Sequence, residues 1–135
     1  MSMLHRELRI AAVLSGLAVV SACGNVLEYK DPIACTEEAR SAVSLSIVDS
    51  LSGKGDSLGG LWARAVDGAY RDSTANGFHH QQAGAVIMAL AYERPGTYAV
   101  TVHATGYQDW SKSGVVVGHD ECHVITAQLT ARLVR

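Results

Sequence analysis

Residues 93–104, ERPGTYAVTVHA, decide the fold class of this chain. The Arg-Pro-Gly run at 94–96 joins two turn-forming residue types and predicts a turn. After it, Tyr98, Val100 and Val102 alternate with small or polar residues, which is the period-two pattern of a strand with one buried face. We therefore expect a β-strand here, with the Tyr98 ring buried and its hydroxyl hydrogen-bonded to the backbone, as in a tyrosine corner.

The same alternation recurs on both sides of this segment. A Gly- and Ser-rich loop at 50–60 and a polar loop at 73–84 interrupt it, and the Asp67-Gly68 pair suits a hairpin turn. The further strands are expected at residues 42–49, 61–66, 69–72, 85–92, 115–117 and 123–133. The 85–92 segment is apolar on both faces, which fits a central strand or, as the alternative, a short helix. About seven short strands predict an all-β chain with a single antiparallel β-sandwich of immunoglobulin or transthyretin type. Thr36–Ser41 is a candidate helical turn.

The composition restricts the function classes. The 135 residues suffice for one ordinary domain, and 48% hydrophobic residues argue against wholesale disorder. Eleven basic and 13 acidic residues give a net charge of −2, so no nucleic-acid partner is expected. The sequence has no His-Glu-x-x-His and no phosphate-loop motif. We therefore expect a protein that is not an enzyme, with no catalytic residues and no cofactor.

The beginning of the chain indicates export. Ile10–Ala22 is uncharged and 13 residues long, whereas a bilayer-spanning helix needs about 20 apolar residues. Together with the mildly basic start, it predicts a cleaved signal peptide at 1–22. Its end, Val20-Ser21-Ala22-Cys23, resembles the lipobox of bacterial lipoproteins.

The lipobox resemblance implies that the Cys23 thiol carries a diacylglyceryl group and that the new amino terminus is commonly acylated too. Gly24 stands where an Asp would retain such a lipoprotein at the inner membrane, which implies anchoring to the outer membrane. The alternative is a plain secretory signal with a free or disulfide-bonded cysteine at position 23.

The other two cysteines, Cys35 and Cys122, remain available if Cys23 is lipidated. Because disulfides persist outside the cytoplasm, we expect a Cys35–Cys122 bridge, with two free buried cysteines as the alternative. Residues 23–41 then form a lipidated tether, and residues 42–135 form the domain.

Two segments resemble the carboxypeptidase regulatory-like domain family. Gly96-x-Tyr98, the alternating residues after it and Gly106-Tyr107 match the family's pattern, and residues 63–70 (ARAVDGAY) are similar to its first hairpin. The resemblance extends over residues 42–133, although the 50–60 loop lacks the proline-bearing segment usual in the family. It implies a non-catalytic module of the cell envelope that binds or scaffolds a protein or a glycan.

Two sets of side chains are candidates for ligand binding. Trp110 and Tyr107 could form a stacking platform for sugars or peptides, whereas Trp62 is expected to pack in the core. A small-ligand or metal-binding lipoprotein is the alternative function, because imidazoles and carboxylates bind zinc, copper or nickel. Its residues would be His79, His80, His119 and His123. Neighbouring strand residues point to opposite faces, so solvated loop histidines without a metal are the simpler interpretation.

Overall fold

The computed structural model describes residues 33–75, 77–80 and 84–135, with the side chains of 78–80 excepted. The strands are β1 (Ser41–Asp49), β2 (Trp62–Asp67), β3 (Tyr70–Thr74), β4 (Phe78–His80), β5 (Ala85–Tyr92), β6 (Gly96–His103), β7 (Trp110–Val117) and β8 (Ala127–Leu133). No helix occurs within these described ranges, and residues 36–40 are irregular rather than a helical turn. The all-β prediction is confirmed.

The strands form two four-stranded sheets. One has the order β4-β5-β1-β8 and the other β3-β2-β6-β7. Neighbouring strands are antiparallel except β1 and β8, which run parallel with Val43 opposite Ala127 and Asp49 opposite Leu133. The predicted sandwich is therefore confirmed, with one parallel pair that joins the first and last strands.

The core lies between the inner faces of the two sheets. Alternation places one side chain in two of each strand inward, so the hydrophobic positions of β1, β5 and β6 meet there. The largest fully buried side chains are Tyr98, Leu45, Ile47, Met88, Leu90, Leu133, Val43, Val100 and Val102. All of these except Leu133 come from β1, β5 and β6.

Tyr98 forms the expected corner. Its ring is fully buried and its hydroxyl donates to the Arg94 carbonyl oxygen at 2.6 Å. The Arg94 guanidinium in turn donates to Asp67 Oδ2 at 2.7 Å and lies 4.1 Å from the ring centroid of Tyr70. Because Asp67 and Tyr70 flank the β2–β3 hairpin turn, this arginine joins that hairpin to the start of β6.

At one edge of the sandwich, a side chain of one sheet forms a hydrogen bond with the backbone of the other. β4 pairs with β5 at residues 85–87, and β5 continues beyond this pairing to Tyr92. Asp72 of β3 accepts a hydrogen bond there from the Ala91 backbone N–H at 2.7 Å. Ala91 has a φ of 57°, in the left-handed region that non-glycine residues adopt rarely.

The sandwich has two distinct ends. At the proximal end, where the described chain begins, Cys35 lies near Cys122 and the 93–97 turn. At the distal end, β1 and β8 finish side by side, and the Gln108 N–H donates to the Val134 carbonyl oxygen at 2.8 Å. The loops 50–54 and 104–109 therefore meet at the distal end.

Candidate functional site

The predicted Cys35–Cys122 disulfide is present at the proximal end. The sulfur atoms are 1.98 Å apart and the Cα atoms 5.3 Å apart, across a sequence separation of 87 residues. The bridge fixes the exposed 33–40 segment to the loop between β7 and β8. The alternative of two free buried cysteines is wrong.

Polar contacts reinforce the bridge. The Arg40 N–H donates to Glu93 Oε1 at 2.6 Å, and His123 Nδ1 lies 2.9 Å from the same oxygen. The Arg40 N–H, and after it His123, hold the pKa of the Glu93 carboxyl below its usual value. His123 Nε2 is 3.0 Å from Thr36 Oγ1. Both ring nitrogens of His123 thus serve to attach the entering segment to the domain.

The histidines of the metal hypothesis do not converge in the described structure. His119 Nδ1 lies 2.8 Å from the Asp120 backbone oxygen, and His123 has the two partners just described. His79 and His80 lie on β4, and their side chains fall outside the described part. Among the side chains that the structure describes, no group of three or more His, Cys, Asp or Glu residues could hold a metal ion.

A shallow cavity of about 250 Å³ borders the bridge. Glu93, Asp120 and Glu121 make its lining acidic. Asp120 Oδ1 accepts the N–H groups of His123 and Cys122, both at 2.8 Å, and these bonds lower the pKa of the Asp120 carboxyl. Two of the three carboxylates therefore serve to hold local backbone in place.

Tyr107, one of the two predicted ligand residues, lies at the distal end. Its hydroxyl donates to Asp49 Oδ2 at 2.8 Å and accepts from Arg135 Nη2 at 3.0 Å. The Arg135 guanidinium also lies 5.1 Å from the Tyr107 ring centroid. Tyr107 thus links the 104–109 loop to the last residue of β1 and to the end of the chain.

Asp49 is the centre of this distal network. The residue is 5% exposed, and its Oδ1 accepts the backbone N–H groups of Leu51 at 2.9 Å and Ser52 at 2.7 Å. The Ser52 N–H, and after it the Tyr107 hydroxyl, lower the pKa of Asp49 to about 2. A buried carboxylate is stable here because donors surround it. The sequence analysis missed this residue, since one Asp at the end of an apolar strand forms no motif.

The two tryptophans are placed differently from the expectation. Trp110 of β7, the second predicted ligand residue, is half-buried and packs against the core. Trp62 alternates with the buried Ala63 and lies on the outer face of β2, so its predicted core position is wrong. Its ring stacks on that of His103, with centroids 5.3 Å apart and planes 20° apart.

His103 and Trp62 form the outer aromatic pair of the distal half of the molecule. His103 Nδ1 lies 2.7 Å from Asp109 Oδ1, and the Arg64 guanidinium is 5.4 Å from the Trp62 ring centroid. Arg64 and Asp109 therefore place a cation and a carboxylate beside the aromatic surface of the Trp62–His103 pair. It was not among the candidates from the sequence, because the contacting residues come from separate strands.

Comparison with known proteins finds no matching family model, no similar curated protein and no similar solved structure. The resemblances to the lipobox and to the carboxypeptidase regulatory-like family accordingly stay predictions. Cys23 and the signal peptide at 1–22 lie outside the described residues. In the part of the chain that is described, no helix has the length and apolar character needed to cross a bilayer.

Proposed function

We propose that this protein is a lipid-anchored, non-catalytic module of the cell envelope that binds or scaffolds other envelope components. The observation that carries the proposal is the Cys35–Cys122 disulfide. It supports an exported protein, because disulfides persist in oxidising compartments. It also accounts for two of the three cysteines, and the third, Cys23, stands at the modified position of the lipobox-like sequence.

The position of the disulfide fits an anchored module. It fixes the 33–40 segment at the proximal end, so the domain is attached to whatever holds the amino terminus. From Cys23 to Cys35 there are 12 residue steps, which span at most about 40 Å. Cys35 would therefore lie within about 40 Å of a lipid on Cys23.

The arrangement of the distal surface supports a binding role. Trp62, His103 and Arg64 lie together on the outer face of the sheet, far from the entering segment. Aromatic rings beside a cation and hydrogen-bonding groups suit the recognition of proteins or glycans.

The lipid anchor is tested by replacing its cysteine. We expect Cys23→Ala to abolish incorporation of labelled fatty acid and to move the protein from the membrane fraction to the soluble fraction of the envelope. The loss follows because acyl chains contribute about 0.8 kcal/mol per buried CH₂. Ser21→Ala, which keeps a small residue in the lipobox-like sequence, is the matched control and should stay lipidated.

Two results would contradict the proposal. One is a Cys23→Ala variant that still requires detergent for release from membranes. The other is a wild-type protein whose amino-terminal peptide, by mass spectrometry, carries no acyl group. The choice of membrane is tested separately: Gly24→Asp should move a lipidated protein from the outer to the inner membrane.

A further inference from the structure

Four strands lie at the edges of the two sheets: β4 and β8 in one sheet, and β3 and β7 in the other. An edge strand presents unpaired backbone groups, and proteins protect such edges by short strands, charged side chains or bulges. β4 has three residues, and β3 has five, of which Arg71 and Asp72 are charged. β7 contains Lys112, a shift in its register with β6, and Gly114 with a φ of 66°. These three edges therefore carry the usual protective features.

β8 differs from the other described edges. Its seven residues, AQLTARL, include neither proline nor lysine. They pair with β1 in one continuous register, from Val43 opposite Ala127 to Asp49 opposite Leu133. Within the described ranges, β1 is the one strand that neighbours β8 in its sheet. β8 is therefore a regular template on which another strand can pair.

The hydrogen bonds of β8 show which of its backbone groups face the open edge. In a parallel ladder, every second residue directs both its N–H and its C=O to the partner strand. The Leu133 carbonyl oxygen accepts the N–H of Ser50, the residue after β1, at 2.8 Å, so Leu133 faces β1. Gln128, Thr130 and Arg132 consequently direct their backbone groups to the open edge. All three of these side chains are exposed.

These three residues are self-complementary in an antiparallel pair. With Thr130 at a twofold axis, it lies opposite Thr130 of a second copy, and Gln128 lies opposite Arg132 of that copy. Each opposed pair exchanges two backbone N–H···O bonds. Threonine opposite threonine is a favourable cross-strand pair, and an amide oxygen opposite a guanidinium accepts a hydrogen bond from it. No two like charges face each other in this register.

Other registers fit the strand less well. A shift towards the carboxyl end brings in Val134, whose carbonyl oxygen already accepts the Gln108 N–H at 2.8 Å, and a further shift opposes two Arg132 guanidiniums. A shift towards the amino end places Arg132 opposite residues that precede β8. Centring the pair on Thr130 uses strand residues alone.

We propose that β8 is the contact of a homodimer, in which the β8 strands of two copies pair antiparallel about Thr130. The two β4-β5-β1-β8 sheets then form one continuous sheet. The contact is isologous and closes at two copies, because the same strand is used on both sides. This pairing needs no lipid on Cys23, so it stands apart from the proposed anchor.

Crosslinking of the full-length protein in the cells that express it tests the dimer. Thr130→Cys is treated with a short bismaleimide before lysis, and the products are separated by mass under denaturing conditions. We expect a crosslinked dimer, because Cα atoms of directly opposed residues lie about 5.5 Å apart. Ser73→Cys, at an exposed hydroxyl residue of the edge strand β3, is the matched control and should stay monomeric. The protein without an added cysteine shows any crosslinking through Cys23.

Charges at position 128 test the register. In the Thr130→Cys protein, Gln128→Arg opposes Arg132 of the second copy with a like charge, whereas Gln128→Glu opposes it with an opposite charge. By symmetry each contact occurs twice, so we expect a crosslinked fraction about fivefold lower for Gln128→Arg than for Gln128→Glu. Both substitutions are at an exposed side chain and leave the core unchanged.

Three results would overturn the homodimer. One is a Thr130→Cys protein that crosslinks no more than Ser73→Cys, and another is equal crosslinking of the Gln128→Arg and Gln128→Glu variants. The third is a Thr130→Cys product whose mass is that of a complex with a different protein, since β8 would then pair with another chain.

Discussion

At the scale of single residues, Asp49 fixes the backbone of one turn and binds a side chain from another loop, although no sequence motif indicated such a role. One carboxylate orients the 50–53 turn through Leu51 and Ser52 and receives the Tyr107 hydroxyl from another loop. The Arg135 guanidinium lies 3.9 Å from it. Because these donors favour the charged form, the folded protein binds a proton at Asp49 more weakly than the unfolded chain does.

This difference predicts a pH dependence of stability. The pKa of Asp49 falls from its usual 3.8 to about 2 on folding. Its stabilising contribution is therefore complete above the unfolded value and is lost as the pH falls through about 2. We expect Asp49→Asn to melt several degrees below the wild type at neutral pH, and this gap to close in strong acid. Calorimetry across the pH range measures it.

The control for Asp49 is Glu121→Gln, a change at an exposed carboxyl of the proximal end. It should leave the melting temperature nearly unchanged at every pH. An Asp49→Asn protein whose deficit persisted unaltered down to pH values below the Asp49 pKa would contradict the role of the charged form.

Tyr98 provides a second test at this scale. Removing its hydroxyl in Tyr98→Phe deprives the Arg94 carbonyl oxygen of its side-chain donor, while the guanidinium keeps Asp67 and the ring still fills the core. We expect a loss of about 1–2 kcal/mol in the free energy of unfolding, measured by urea denaturation. Tyr92→Phe, on a ring that is 56% exposed, should change it little. Equal effects of the two substitutions would contradict a stabilising role of the Tyr98 hydroxyl.

At the scale of elements, period-two alternation predicted most of the strands. Residues 42–49 and 85–92 match β1 and β5 closely, because both strands have a buried face of large aliphatic residues. β4 was missed because it has three residues inside a polar loop. β7 begins at Trp110 rather than Val115, since its first half is exposed and polar and therefore carries no apolar pattern.

The orientation of the two tryptophans was harder to predict. A shift in the β6–β7 register between Tyr98 and Val100 alters which β7 residues face inward. Trp110 pairs with Val102 and contacts the core, although its sequence surroundings are those of a loop. Two residue steps in β6, from Tyr98 to Val100, oppose three in β7, from Val115 to Lys112, so the extra residue lies in β7 and interrupts its alternation.

The hydrogen bond from the Ala91 N–H to the Asp72 carboxylate is expected to stabilise the edge of the sandwich at β5. Asp72→Ala removes the acceptor and leaves the Ala91 N–H in a part-buried site without a partner. We expect a loss of about 1–3 kcal/mol in the free energy of unfolding. Asp72→Asn keeps a carbonyl acceptor at the same place and should recover most of it. If the two variants unfold alike, the bond to Ala91 does not stabilise the edge.

At the scale of the whole molecule, the disulfide is the strongest constraint. A loop of 87 residues predicts a stabilisation of about 4–5 kcal/mol in the chain-entropy model, with smaller values when the unfolded chain keeps structure. We expect the Cys35→Ser/Cys122→Ser double variant to unfold at markedly lower urea concentration than the oxidised wild type. Reduced wild type is the control and should match the variant. A wild-type protein that unfolds at the same urea concentration with and without reductant would contradict the prediction.

The sequence located one part of the candidate site and not the other. The disulfide followed from counting cysteines once Cys23 was assigned to lipid, which needs no three-dimensional information. The distal end joins Asp49, Tyr107 and Arg135 from separate parts of the chain, and only the folded arrangement of the strands brings them together.

The Cys35–Cys122 bridge also determines how the module carries mechanical force. Tension applied between the segment before Cys35 and the carboxyl terminus passes from Cys35 directly to Cys122 through a covalent bond, so the strands from β1 to β7 lie outside the load path. The load falls on β8 alone, whose parallel ladder with β1 is pulled lengthwise and must break many hydrogen bonds together. A pull on the segment before Cys35 would therefore leave most of the sandwich unstretched.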